Sequence, residues 1–209
     1  LPGGRRPVSS TAPAVPAAPP GADRASDPLA PAVVFFGPPG AGKSTLIRGF
    51  VRVMAPGADA GDELPASEAA GVRRELIPHA VRVLDPAAGG AGGAAVLCDC
   101  DGHAAEQLLS SPDALVRGAA RGALAGAVRS ADALVLAVDA AASPEEVDAT
   151  FRAFGRFLDS LQEGRTFGRE VGGLPVFLTL TKCDALARPG DEPADWLARV
   201  EDRQREVRE

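Results

Sequence analysis

The chain has 209 residues, a length suited to one domain of ordinary size. It carries 22 Lys and Arg against 28 Asp and Glu, for a net charge of -6 and a pI of about 5.0, which argues against nucleic acid or an anionic membrane as the main partner because both attract basic surfaces. Three cysteines, Cys98, Cys100 and Cys183, fit reduced cytoplasmic thiols better than a disulfide framework. No apolar run nears the roughly 18 residues that span a bilayer, so no membrane segment is expected.

Residues 1–30 are rich in Pro, Ala, Gly and Ser and lack a helical or strand period. Such a segment buries too little apolar surface to offset its ordering entropy, and it reads as a disordered linker or tail. The domain is expected over residues 31–209. The chain starts at Leu1 and ends in the charged run Glu201–Glu209, so it is expected to be a piece of a longer protein. Ala32-Val33-Val34-Phe35-Phe36 is short, continuous and β-rich, the pattern of a strand buried on both faces. A glycine-rich loop follows, then a predicted helix from about Gly42 to Met54. Residues 55–71 read as a mobile loop. Strands are predicted over His79–Leu84 and Ala94–Asp99, and the short link between them makes them antiparallel neighbours.

Residues 112–131 read as one helix, with Gly118, Gly122 and Gly126 on a stripe suited to close packing. Ala133–Val138 is the next buried strand. Ser143-Pro144-Glu145-Glu146 has the form of a capping box with Pro at the first helical position. The helix after it presents Val147, Phe151, Phe154, Leu158 and Leu161 on one face. Pro175–Leu180 reads as a last buried strand. A final helix from Asp195 to about Val207 turns Trp196, Leu197 and Val200 inward. Strands alternating with helices predict a three-layer α/β domain, its mostly parallel sheet carrying one antiparallel edge.

Three motifs carry chemistry. Gly37-Pro38-Pro39-Gly40-Ala41-Gly42-Lys43-Ser44, followed by Thr45, matches G-x-x-x-x-G-K-[ST] in full, between a strand and a helix. Glycines let backbone N–H groups converge on phosphate oxygens, and the helix start adds its positive dipole end. Lys43 is expected on the β- and γ-phosphates and the Ser44 hydroxyl on Mg2+. Asp99-Cys100-Asp101-Gly102 ends a strand, where Asp99 can hold Mg2+ and Gly102 can bring a backbone N–H to the γ-phosphate. Thr181-Lys182-Cys183-Asp184 also ends a strand. There Asp184 can accept N1–H and N2–H2 of guanine, donors that adenine lacks, while the Lys182 stem lies along the base.

Three motifs in this order resemble the P-loop GTPases, close to Ras-like and translation-factor domains, over about Ala32–Glu209. Asp99-Cys100-Asp101-Gly102-His103 is similar to the D-C-P-G-H of translational GTPases, which implies that His103 orients the attacking water. Thr181-Lys182-Cys183-Asp184 with Leu186 more loosely resembles the NTPase domain of IcmF-like secretion proteins. The resemblance implies a GTP/GDP site with Mg2+, hydrolysis of GTP to GDP, and service as a molecular switch for protein partners or neighbouring domains.

Two departures stand out. No Thr lies between Thr45 and Thr150, where these GTPases sense the γ-phosphate, and Ser67 is the only hydroxyl residue of the loop. The family's further strand and guanine-contacting loop are expected beyond the last helix, so the domain reads as truncated before its last strand. The sequence therefore leaves two alternatives open: a nucleotide-binding module with negligible hydrolysis, and an ATP-binding P-loop domain in which Asp99 is the Walker B acid. Among lesser candidates, Cys98, Cys100 and His103 are a weak metal set, Arg73 and Arg74 a weak arginine finger, and His79 and Trp196 read as structural.

Overall fold

The computed structural model describes residues 30–54, 75–82, 93–116, 120, 122–165 and 173–207. The tail over residues 1–29, the loop over 55–71, the turn over 85–92, and Arg73, Arg74 and Gly118 lie outside the described residues. Five strands form one sheet: β1 (Ala32–Phe36), β2 (Leu76–Arg82), β3 (Ala94–Cys100), β4 (Ala133–Asp139) and β5 (Val176–Thr181). Their order is β2-β3-β1-β4-β5; β1, β3, β4 and β5 run parallel and β2 runs antiparallel to β3. The expected α/β architecture, with one antiparallel edge, is therefore present.

Strand alternation sorts the core onto two faces. Val34 and Phe36 of β1, Cys98 and Cys100 of β3, and Leu134, Leu136 and Val138 of β4 point to one face. There they meet α2 (Gly102–Ser110), α4 (Ala123–Ser130) and α5 (Pro144–Arg165), with Phe36 stacked on Phe157 at 4.4 Å between ring centroids. Phe35 and Val135 point the other way, onto Ile47 of α1 (Lys43–Met54), with Phe50 edge-on to Phe35 at 6.1 Å. Among the described residues, no helix is long and apolar enough to cross a membrane.

α5 begins as its sequence predicts: Ser143 N–H donates to Glu146 Oε2 at 2.9 Å, and Glu146 N–H donates to Ser143 Oγ at 3.3 Å. Its inward face includes Val147, Phe154 and Leu161 as expected, and also Phe157, which is fully buried.

Several expectations are corrected. The single helix over 112–131 is two, α3 (Asp113–Val116) and α4, parted at Gly122. Gly122 has φ +112°, and a Cβ there would collide with the Glu75 carboxylate, so the glycine breaks the helix instead of lining a packing stripe. Among the described residues, Gly126 has no neighbour within 4 Å of where its Cβ would lie, so these show no close packing there. β2 starts at Leu76, ahead of the expected His79, with Pro78 inside it. A proline is tolerated there because an edge strand leaves one side of its ladder open. β5 is an edge strand and not a buried one, with Phe177 57% exposed. α6 (Pro193–Glu206) leaves Leu197 50% exposed. Trp196 and Val200 are half-buried as expected, Arg199 and Arg203 lie on the same side, and the helix docks through polar side chains (Trp196 Nε1 to Cys183 O, Arg199 Nε to Leu186 O) at 2.7 and 2.9 Å.

Candidate functional site

The parallel strands β1, β3, β4 and β5 all end on the same edge of the sheet. The chain leaves β1 for one side of the sheet and returns on the other, so a crevice opens at the carboxyl ends beside β1. A cleft of about 590 Å3 lies there, within the ~300–1,000 Å3 usual for small-molecule sites. Pro39, Gly40, Gly42, Lys43, Ser44 and Thr45 line it from the glycine loop. Asp99, Gly102 and His103 line it from the end of β3, and Lys182 from the end of β5. Residues from all three sequence motifs thus meet at one place.

The loop is shaped by backbone before side chains. Gly40 and Gly42 take φ +74° and +77°, a region that side-chain-bearing residues rarely adopt. The helical ladder of α1 begins with Leu46 N–H to Gly42 O at 3.0 Å, and as at any helix start the amides of the first turn lack intrahelical acceptors. Lys43 is 6% exposed, and its Nζ donates to Gly37 O and Pro38 O at 2.9 Å each. The ammonium is thus folded back over the loop, at the mouth of α1. Amides, a helix dipole and a buried cation together can hold an anion.

Not every expected residue lines the cleft. Gly37 and Ala41 are buried within the loop's base, and Pro38 serves as an acceptor for Lys43. Thr181 is buried beneath the loop: its hydroxyl lies 2.8 Å from Ala41 O and 3.0 Å from Val138 O, and a Cβ on Gly42 would come 3.1 Å from Thr181 Cβ. It pegs the loop to β4 and β5. Asp184 is exposed on the 3-10 helix Cys183–Leu186, outside the lining of the cleft.

Gly102 has a reason for being glycine that sequence reading did not foresee. A Cβ there would meet Pro39 Cα at 2.5 Å and Pro39 N at 2.7 Å. The start of α2 therefore packs directly on the glycine loop. Asp101 caps that helix, accepting Ala104 N–H at 3.3 Å, and its own N–H donates to Glu75 O at 2.9 Å. His103 sits on the first turn of α2, with its side chain 53% exposed and 3.6 Å from Glu106.

Asp99 is 6% exposed, and among the described residues its Oδ1 has no hydrogen-bond partner. A buried carboxylate oxygen left unpaired is costly unless something binds it. With Ser44 on the same cleft, the set is oxygen-only, which suits Mg2+: that ion takes one or two protein ligands and completes its shell with water and phosphate. His79 lies on the same face as Asp99, since it pairs with Leu97 and Ile77 pairs with Asp99. Burial pulls the His79 pKa down, against the pull of Asp99 and with that of Arg48, so the ring is neutral near pH 7. Burial pushes the Cys98 thiol up, and the Cys100 thiol up to about 12. Among the described residues, no three His, Cys, Asp or Glu side chains gather as a metal set, so Cys98, Cys100 and His103 do not form one.

Two further residues escaped the sequence reading. Glu75 joins the site to α4: besides receiving Asp101 N–H on its carbonyl, its carboxylate accepts Leu124 N–H at 3.3 Å. Asp139 closes β4, and its Oδ2 accepts from Lys182 Nζ at 2.6 Å. Burial works against the charged form of Asp139, but Lys182, the Ala141 N–H and the Arg203 charge hold its pKa below the usual carboxylate range. The Asp139 carboxylate is therefore ionised at neutral pH and takes up a proton only as pH falls through that lowered value. An acid at the carboxyl end of a buried strand is the same signal that marked Asp99.

No protein-family model matches the chain, and no curated protein matches it significantly.

Proposed function

We propose that this cleft binds GTP with Mg2+ and hydrolyses it to GDP and phosphate, in a three-layer P-loop domain that serves a larger protein as a regulatory switch. The observation that carries the reading is Lys43. Its ammonium is buried at the head of α1 on two loop carbonyls, and among the described residues no carboxylate pairs with it. A buried cation set among helix-start amides calls for an anionic ligand.

Lys43 and the loop amides hold the β- and γ-phosphates and offset the charge that builds on them. Asp99 and Ser44 would hold Mg2+, which when bound adds its own charge to that stabilisation. His103, at the cleft rim, orients water for in-line attack. The water oxygen bonds to the γ-phosphorus as the bond to the β–γ bridging oxygen breaks, which releases GDP and phosphate. On the base side, the Lys182 stem lies along the ring, and Asp184 accepts N1–H and N2–H2 of guanine.

A second reading is favoured by the absence of Thr between Thr45 and Thr150 and by the open setting of His103. In it, nucleotide is held without turnover and the loaded state controls partner domains. Single-turnover hydrolysis of prebound GTP separates the two. The first reading expects GDP to form with Mg2+ present, and His103→Ala to slow it by about 100-fold, the low end for a lost acid–base group. Tight binding with no GDP formed would assign the second.

A further inference from the structure

Among the described residues, Lys182 is the one non-glycine residue with positive φ, at 55°. Left-handed backbone is strained for a residue with a side chain and persists where surrounding contacts impose it, most often at working sites. The side chain of this residue is itself held, by Asp139. Its Oδ2 accepts from Lys182 Nζ at 2.6 Å, and its Oδ1 accepts Ala141 N–H at 2.9 Å. The carboxylate is itself well placed. It sits on the last residue of β4, in register with Thr181 of β5. The turn that follows is clamped from α6, where Arg203 Nε donates to Ala140 O at 3.1 Å and Nη2 donates to Ala142 O at 2.5 Å.

Lys182 lines the cleft and Asp139 does not. Asp139 is therefore a brace behind a wall residue. An exposed lysine without such a partner would sample many rotamers and would be drawn to the nearest anion, which in a loaded cleft is the phosphate tail.

We propose that Asp139 is a positioning residue for the nucleoside half of the bound nucleotide: it holds the Lys182 ammonium so that the lysine stem walls the base and ribose. The inference rests on the nucleotide reading above. It separates two halves of the site. The glycine loop 37–45 holds phosphates without Asp139, and the β4–β5 end holds the nucleoside through it.

The test compares Mg-GTP with Mg-tripolyphosphate, which has the phosphates and no nucleoside, in calorimetric titrations of the whole chain. Asp139→Ala is expected to weaken GTP by about fivefold, the scale of a part-exposed ion pair, and not to weaken tripolyphosphate. Asp139→Glu is expected to recover part of the loss. Lys182→Met should lose as much as Asp139→Ala, and the double variant no more than either, because the two act as one unit. Should Asp139→Ala not fold, Asp139→Asn keeps the Ala141 N–H acceptor while losing the charge, and it serves the same comparison. Equal losses for both ligands, or losses that add in the double variant, would overturn the proposal. Wild-type chain that prefers GTP to tripolyphosphate, with Asp139 variants that do the same undiminished, would overturn the proposal alone. Wild-type chain with no preference for GTP over tripolyphosphate would overturn both the proposal and the nucleotide reading beneath it.

Discussion

Asp184→Asn is expected to exchange GTP for XTP. Guanine presents N1–H and N2–H2 side by side, and a carboxylate can accept both. An amide can accept only one and must offer a donor at the other, which leaves the 2-amino group of guanine facing N–H. Xanthine carries an oxygen at that position, so the amide meets it with the right polarity. Hydrogen bonds to a charged group contribute ~1.5–3 kcal/mol each. Losing the one to the 2-amino group costs ~1.5–3 kcal/mol, or roughly 10- to 150-fold in GTP affinity, and the two donors left facing each other add to it. Discrimination of this size is ordinary for sites that pair a polar edge. Titration of both nucleotides into wild type and variant measures it. Asp184 is exposed beside the cleft in the structure, two residues beyond Lys182. The prediction therefore requires it to meet the base in the loaded state, and unchanged GTP affinity in Asp184→Asn would remove it from the site.

Lys43→Ala is the second large effect. The ammonium has two loop carbonyls as partners and little solvent. With a triphosphate present, it is the one buried cation in the loop able to offset the β- and γ-charges. Removing two charge-assisted hydrogen bonds to phosphate costs ~3–6 kcal/mol, so triphosphate affinity is expected to fall by at least about 100-fold. GDP should lose less than GTP, because it has no γ-phosphate for the lysine to hold. The fold should survive, since Ile47 and Phe35 beneath the loop are untouched. A circular-dichroism melt confirms the fold and a GTP titration reads the loss. Equal affinity in wild type and Lys43→Ala would mean that the loop does not carry the phosphates.

How far the sequence could be read depended on how local each determinant is. β1, α1, β3, β4 and the start of α5 were legible because each is written in adjacent residues: an apolar run, a glycine loop, or a capping box at Ser143–Glu146. α2 was missed because Asp101-Gly102-His103 reads as a motif loop, although Asp101 is also a helix cap for Ala104. The break at Gly122 depends on Glu75, which is distant in sequence, and no local pattern shows that approach. The site divides in the same way. The glycine loop is contiguous from Gly37 to Thr45 and is legible as a motif in adjacent residues. Asp139 and Lys182 are 43 residues apart and are joined only by the parallel β4–β5 register. Leu197 reads as inward by its apolarity, whereas α6 is held by Trp196, Arg199 and Arg203 giving hydrogen bonds to backbone carbonyls.

The central claim is that the cleft at the carboxyl ends of the strands takes a triphosphate and reads its base as guanine. Competition of Mg-ATP against a bound fluorescent GTP analogue on the wild-type chain tests it most directly. The account predicts that GTP displaces the analogue at concentrations at least about 100-fold below those ATP needs, since adenine presents neither donor to Asp184. ATP and GTP displacing it equally would contradict the guanine reading and leave a phosphate-binding loop with no preference for the base.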